Sequence, residues 1–183
     1  MPQSQAHVSD DICQVLVESY AVNERMFQIV LENLDPAAWR AQQPGSRGRT
    51  IADVVVHVHN MRRKWLRLSA PHLKSPAPLD RVRCTQEQAR TALAQSAAGC
   101  AEMLAEAIVQ PKGKVETFLR DGWAKPWPAG AAMLVYMVTH DAHHRGQVCM
   151  LAHQLGFPLP QKVTAEMWSW ERLWKKCGFA HPR

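Results

Sequence analysis

Apolar side chains recur at intervals of three and four residues through four long segments of the chain, and this periodicity limits the fold more than any other feature. The spacing is typical of amphipathic α-helices that bury one face. It predicts helices over about residues 12–34, 50–68, 85–110 and 128–155, followed by a short helix over about 164–176. We therefore expect an all-α protein, a four-helix bundle with a short C-terminal helix, in one domain over residues 1–183.

Several helix ends carry their own signals. Residues 50–53 and 85–88 each resemble a capping box, in which a threonine and the side chain three residues later bind free backbone groups. Pro128 is expected to start the fourth helix, and Gly156, followed by Pro158, is expected to end it.

The segment between the third and fourth helices has a different pattern. Pro111 and Gly113 are expected to end the third helix. Residues 114–123 then partly alternate between apolar and polar side chains and contain an Asp-Gly pair, which permits a short hairpin.

The charge of the chain is mildly basic. It has 22 Lys and Arg against 16 Asp and Glu, a net charge of +6, but the excess is spread out and no long basic run occurs. Neither a basic tail nor a nucleic-acid-binding motif is present, so we expect no nucleic-acid partner. A mild positive balance suits a small anionic substrate.

The sequence also indicates where such a protein would reside. The first residues lack the basic and apolar regions of a signal peptide, and no apolar run of about 18 residues occurs, so we expect no membrane segment. The five cysteines are scattered and form no Cys-x-x-Cys motif. They are expected to be reduced thiols of a cytoplasmic protein.

Two histidines, His140 and His144, lie one helical turn apart in the predicted fourth helix, with apolar residues on either side. Residues four apart share a helix face, so both imidazoles can reach one metal ion. On the second helix, His57 lies on an apolar stripe with Val54 and Val58 and is the candidate third ligand. His59 lies about 200° around the helix from His57, so we expect it to face solvent or an interface.

Three neutral imidazoles with an open position are typical of catalytic rather than structural zinc sites. We therefore predict a divalent-metal site formed by His57, His140 and His144, with zinc or nickel as the expected ion; cobalt and iron also accept imidazoles. Two alternatives stay open. The His-x-x-x-His spacing also occurs as surface polarity or as hydrogen-bonded core histidines, and the spacing permits a pair of His140 with His143 instead.

The residues around this pair have predicted places as well. His143, about 60° from His140, is assigned to the layer behind the ligands or to the edge of a pocket. Gln147 is expected to point toward the site, where it orients a ligand or a substrate or packs against a neighbouring helix. Gly146 inside a helix is expected to permit close approach of another helix. Arg145 is expected to point away, to solvent or into an inter-helix salt bridge.

These residues resemble a known family. The run 50–57, Thr-Ile-Ala-Asp-Val-Val-Val-His, followed by the run 140–147, His-Asp-Ala-His-His-Arg-Gly-Gln, is similar to the DinB/YfiT-like family of metal-dependent enzymes. The resemblance extends over about residues 10–160. It implies a four-helix bundle, often a homodimer, whose metal ligands correspond to His57, His140 and His144. Characterised relatives include thiol transferases and isomerases that use bacillithiol, mycothiol or glutathione.

The leading functional hypothesis is therefore a metal-dependent thiol S-transferase, in which the metal activates a low-molecular-weight thiol toward a small electrophilic substrate. Arg62 and Arg63 could bind a carboxylate of that thiol, although a solvated face is their expected place. One alternative is a metal-dependent hydrolase, but Asp141 lies about 100° from His140 and is a poor general base. Another is a metal-binding stress-response module without turnover.

Two further expectations concern residues outside this site. Cys149 lies off the ligand face and is expected to be a buried small apolar residue rather than a rival nucleophile. Seven tryptophans are many for this chain length, which adds to the expectation of a homodimer. Three of them, Trp168, Trp170 and Trp174, have no counterpart in the family pattern and either cover the end of the bundle or bind a partner.

Overall fold

A computed structural model of the protein describes residues 3–43, 45, 47–108 and 114–180, with the side chains of the first helix from residue 12 onward. The described chain contains six α-helices, one 3₁₀ turn at Pro36–Ala38 and two short strands. The helices are α1 (Gln3–Glu32), α2 (Ile51–Ser69), α3 (Gln86–Ile108), α4 (Ala131–Gln154), α5 (Gln161–Met167) and α6 (Trp170–Lys176). The strands are β1 (Thr117–Phe118) and β2 (Trp127–Pro128), which pair antiparallel. The predicted all-α fold is confirmed.

The four long helices pack as a bundle in which α1 and α2 each contact both α3 and α4. The two short helices α5 and α6 pack against α1 and close one end. The hairpin lies against α2 and α4, and Phe118 of β1 contacts the buried ring of Trp65 on α2. The apolar core is thus bounded at one end by α5 and α6 and at the other by the hairpin.

The two capping boxes and the end of the fourth helix at Gly156 form as predicted. The Thr50 side chain accepts a hydrogen bond from the Asp53 backbone, and the Asp53 carboxylate accepts one from the Thr50 backbone. Thr85 and Gln88 form the same reciprocal pair before α3. Gly156 adopts a φ of +85° and ends α4, and the backbone N–H of Phe157 donates to the carbonyl of Ala152, which is a Schellman motif.

Three boundaries differ from the prediction. The first helix already begins at Gln3, and α4 begins only at Ala131, because Pro128 belongs to strand β2. The single predicted C-terminal helix is two helices, since the backbone leaves α5 at Trp168 and restarts at Trp170. The predicted end of the third helix at Pro111 and Gly113 lies outside the described residues.

The hairpin exists, but it is wider than the Asp-Gly pair suggested, because its paired residues flank an eight-residue connection.

No helix in the described part of the chain combines the length and the apolar character needed to cross a membrane.

Candidate metal centre

The three histidines selected from the sequence meet in the bundle, where α2 packs on α4. The ring centroids of His140 and His144 lie 4.5 Å apart, and His57 lies 4.8 Å from His144 and 5.6 Å from His140. One ring nitrogen from each of the three lies within 4.8 Å of the other two. The side chains are partly shielded by the surrounding helices, so the cluster is neither sealed in the core nor fully in solvent.

This donor set fits a divalent ion. Imidazole nitrogens bind zinc at about 2.0–2.1 Å, which puts the nitrogens of a tetrahedral site about 3.4 Å apart. The rings would therefore need to close by up to about 1.4 Å, a distance that small side-chain rotations supply. Three imidazoles leave the remaining coordination positions to water or a substrate, as in catalytic zinc sites.

His140 is oriented by a buried carboxylate. Its Nδ1 lies 3.3 Å from Oδ1 of Asp141, whose side chain is 0% exposed. Burial raises the pKa of Asp141, but the adjacent charge of Arg62 and the hydrogen bonds from His140 and Arg62 together lower it below the ordinary value. The ionised carboxylate accepts a hydrogen bond from the Nδ1–H of His140, which leaves Nε2 available as a ligand atom.

Asp141 is in turn fixed by charge. Nη2 of Arg62 lies 2.6 Å from its Oδ2, and Nη1 of the same guanidinium lies 2.7 Å from a carboxylate oxygen of Glu24. Asn23 also donates to Asp141, and Arg145 donates to the Asn23 side chain. The orientation of one candidate ligand thus depends on a buried network that joins α1, α2 and α4.

His144 has a separate partner. Its Nδ1 lies 2.7 Å from Oε1 of Gln147, three residues further along α4. A carbonyl oxygen only accepts, so Nδ1 carries the proton and Nε2 is free to bind a metal. Gln147 thus contacts the cluster through His144 and fixes the orientation of that ring.

Two residues of the three-histidine cluster, His57 and His144, favour the neutral ring. Burial, together with the nearby His144 and His140, lowers the pKa of His57 from 6.5 to about 4. Burial also lowers the pKa of His144, against the opposing effect of its Gln147 hydrogen bond. Neutral imidazole is the form that binds metal, so the site is prepared for an ion near neutral pH.

Acidification is expected to destabilise the metal-free protein between about pH 6.5 and 4. The folded-state pKa values of His57, His59 and His144 lie below 6.5, so in this range the unfolded chain binds protons that the folded chain does not. Stability that is fully present above pH 6.5 is therefore lost as the pH falls. Thermal unfolding followed by circular dichroism with a chelator should show this fall, and His57→Gln should make it shallower. A melting temperature that rises as the pH falls from 7 to 5 would contradict the lowered pKa values of these histidines.

The prediction that His59 faces solvent or an interface is wrong. Its side chain is buried, and its two ring nitrogens lie 3.1 Å from the Ser96 hydroxyl and 2.9 Å from the Ala77 carbonyl oxygen. The reason is that α3 and the loop after α2 cover the side of α2 that faces away from α4. His59 is a hydrogen-bonded core histidine, outside the three-histidine cluster.

Neighbouring elements also cover Arg62 and Arg63, so the expectation that these two residues form a solvated face is wrong. Arg62 is 0% exposed and bound to two carboxylates, so it is not available to a substrate. Arg63 is partly buried and donates to the carbonyl oxygen of Pro76 in the loop after α2. Among the described residues Arg145 also forms no salt bridge with a neighbouring helix; it donates to the backbone and side chain of Asn23.

A cavity of about 570 Å³ adjoins the three-histidine cluster. His143 and Gln147 line it from α4, Val54 lines it from α2, and Arg49 lines it from the residue before the N-cap of α2. His143 lies at the edge of this cavity. Arg49 was not recognised from the sequence, because it is one of many scattered arginines, and only the fold brings it beside the histidines.

Gly146 has a different role from the predicted close approach of another helix. A β-carbon at Gly146 would meet nothing within 4 Å, and the residue lines the cavity. The close approach occurs instead at Gly99 of α3, where a β-carbon would lie 2.9 Å from Cδ1 of Leu66.

Gly146→Ala is therefore expected to stabilise the protein by about 0.5–1 kcal/mol, since a helix interior favours alanine by that amount and no neighbour opposes it. Gly99→Ala is the matched control and should gain less or lose stability, because Leu66 must shift. Urea unfolding of both variants measures the difference. Equal gains at the two positions would contradict the close packing of Gly99 against Leu66.

The fold and the cluster define an all-α bundle whose three histidines could hold a metal ion. A sequence model of the DinB family matches residues 1–172. The chain belongs to the DinB family, as the resemblance indicated. No curated protein and no solved structure shows significant similarity to it.

Proposed function

We propose that the protein is a metal-dependent enzyme in which His57, His140 and His144 bind one divalent ion, zinc or nickel. The observation that carries this proposal is the convergence of three imidazole nitrogens within 4.8 Å of one another. The hydrogen bonds of His140 and His144 support it, because both occupy Nδ1 and leave Nε2 for the ion. Such outer partners typically orient metal-binding histidines.

We further propose that the reaction is transfer of a low-molecular-weight thiol to a small electrophile. A divalent ion held by three neutral ligands keeps its full charge and would supply the acidity that converts a bound thiol to a thiolate. The thiolate sulfur then forms the bond to an electrophilic carbon, and the leaving group departs with its electron pair. Binding and orientation of the substrate fall to the residues of the adjoining cavity.

The side chains around the cluster favour this reaction over hydrolysis. A hydrolase needs a general base beside the ion. Asp141, the acidic residue nearest in sequence, is fully buried and held by Arg62 and His140, so it is not free to accept a proton from water. Cys149 does not offer a strong protein nucleophile, because burial raises the pKa of its thiol.

The expected homodimer remains part of the proposal. Trp168 is 77% exposed, and Trp170 and two apolar residues of α4, Val135 and Met150, are exposed as well. Large contiguous apolar patches often mark an interface, and Trp168 and Trp170 lie two residues apart at one end of the bundle. Trp174, by contrast, is buried and covers the end of the core, which is one of the two roles expected for this segment.

Zinc- or nickel-loaded protein is expected to conjugate glutathione, or another small thiol, to an activated aryl halide, and metal-free protein is not. Because the bound thiol would ionise below its free pKa of about 8.5, the pH–rate profile should rise near or below neutrality. Cys149→Ser is the matched control and should retain both the metal and the rate. Loss of turnover in Cys149→Ser with its metal retained would replace the small-thiol reaction by one at a protein thiolate.

A further inference from the structure

The cavity beside the three-histidine cluster has two chemically distinct parts. Val54, Met150 and Leu151 give it an apolar wall, and Gly146 leaves space where any other residue would project a side chain. His143, Gln147 and Arg49 supply its polar groups. A volume of about 570 Å³ lies within the range of pockets that bind small organic molecules.

Arg49 gives the cavity its charge. Among the described residues that line the cavity, Arg49 is the side chain with a permanent charge. Its field also reaches the histidines, since Arg49 contributes to the lowered pKa of both His57 and His144. Two other arginines near the cluster are occupied: Arg62 pairs with two carboxylates, and Arg145 donates to the backbone and side chain of Asn23. Within the cavity, the guanidinium that can meet an incoming anion is therefore that of Arg49.

We propose that this cavity binds a small organic carboxylate, with its carboxylate on Arg49 and its apolar body against Val54, Met150 and Leu151. Guanidinium groups pair with carboxylates through charge-assisted and often bidentate hydrogen bonds. The inference rests on the proposed function in one respect: it assigns this chemical class to the substrate of the proposed enzyme, whose reacting atom would lie toward the three-histidine cluster.

The binding itself can be tested without turnover. The probe is 4-phenylbutanoate, and the neutral 4-phenylbutanamide has nearly the same shape without the charge. Calorimetric titration of tag-free protein, both metal-free and loaded with zinc, is expected to show the carboxylate binding at least about tenfold more tightly than the amide. Arg49→Gln should remove this preference by weakening the carboxylate alone, and Gly146→Leu should weaken both probes by filling the cavity.

Arg47→Gln is the matched control, because it removes the same charge from the same loop at a residue that does not line the cavity. It should leave both affinities unchanged. An equal affinity for the two probes, or a preference that persists in Arg49→Gln, would overturn the proposal. A preference that appears only with zinc would also overturn it, since the carboxylate would then be a metal ligand.

This test and that of the proposed enzyme fail separately. Zinc stoichiometry is measured on the same samples and reports on the histidines alone. Protein that binds no zinc but shows an Arg49-dependent carboxylate preference would support the cavity assignment and refute the metal site. Protein that binds zinc but shows no carboxylate preference would support the metal site and refute the cavity assignment.

Discussion

Arg62→Ala is expected to lower the free energy of unfolding by about 3–5 kcal/mol, as is usual when one partner of a buried ion pair is removed. Arg62 is 0% exposed, and its guanidinium is paired with Glu24 and Asp141. Removing it leaves two carboxylates without their buried counter-charge, and burial already raises the pKa of Glu24 even with Arg62 present. Urea unfolding of the metal-free protein measures the loss.

The control is Arg83→Ala, which breaks an ion pair with Asp80 at a position that is 84% exposed. Solvent screens such pairs, so this variant should unfold at nearly the same urea concentration as the parent protein. Similar small losses in both variants would show that Arg62 is not held by its two carboxylates. Arg62→Ala should also weaken metal binding about 10–100-fold, since Asp141 would no longer be fixed against His140.

Alanine at His57, His140 or His144 is expected to reduce bound zinc from about one equivalent to nearly none. Each variant removes one of three protein ligands, a larger loss than removal of an outer partner, which alone costs about 10–100-fold in affinity. Metal analysis of tag-free protein after dialysis against dilute zinc measures the content. Circular dichroism should show that the bundle persists, because the three rings lie at the edge of the core.

Two histidines provide matched controls. His143→Ala changes an exposed residue next to His144 and should retain the metal. His59→Ala should also retain it but lose stability, because the Ser96 hydroxyl and the Ala77 carbonyl oxygen lose their buried partner. If His143→Ala or His59→Ala loses zinc as completely as His57→Ala, the assignment of the three ligands is wrong.

Local sequence patterns were sufficient to predict the helices and the histidine cluster. Helix periodicity and capping depend on residues within a few positions of one another, so α2 and its capping box could be located closely. The four-residue spacing of His140 and His144 fixes their common face, and the apolar neighbours of His57 fix its direction. The site therefore follows from two helix faces and the assumption that they pack together.

The surroundings of the site could not be predicted in this way, because they depend on contacts between distant segments. Arg62 binds Glu24 and Asp141, which lie on two other helices. The helical phase of His59 was correct, but the opposite side of α2 is covered by α3 and by the loop after α2. Gly146 and Arg49 gain their significance from an empty volume, which local spacing does not encode.

X-ray absorption spectroscopy of the zinc-loaded, tag-free protein tests the metal centre most directly, because it counts and identifies the ligand atoms. We predict one zinc per chain, nitrogen and oxygen neighbours at about 2.0–2.1 Å, and the outer-shell scattering of three imidazole rings. A sulfur neighbour at about 2.3 Å, in protein without added thiol, would indicate a cysteine ligand and contradict this ligand set. Fewer than three imidazoles, or no stoichiometric metal, would contradict the central claim.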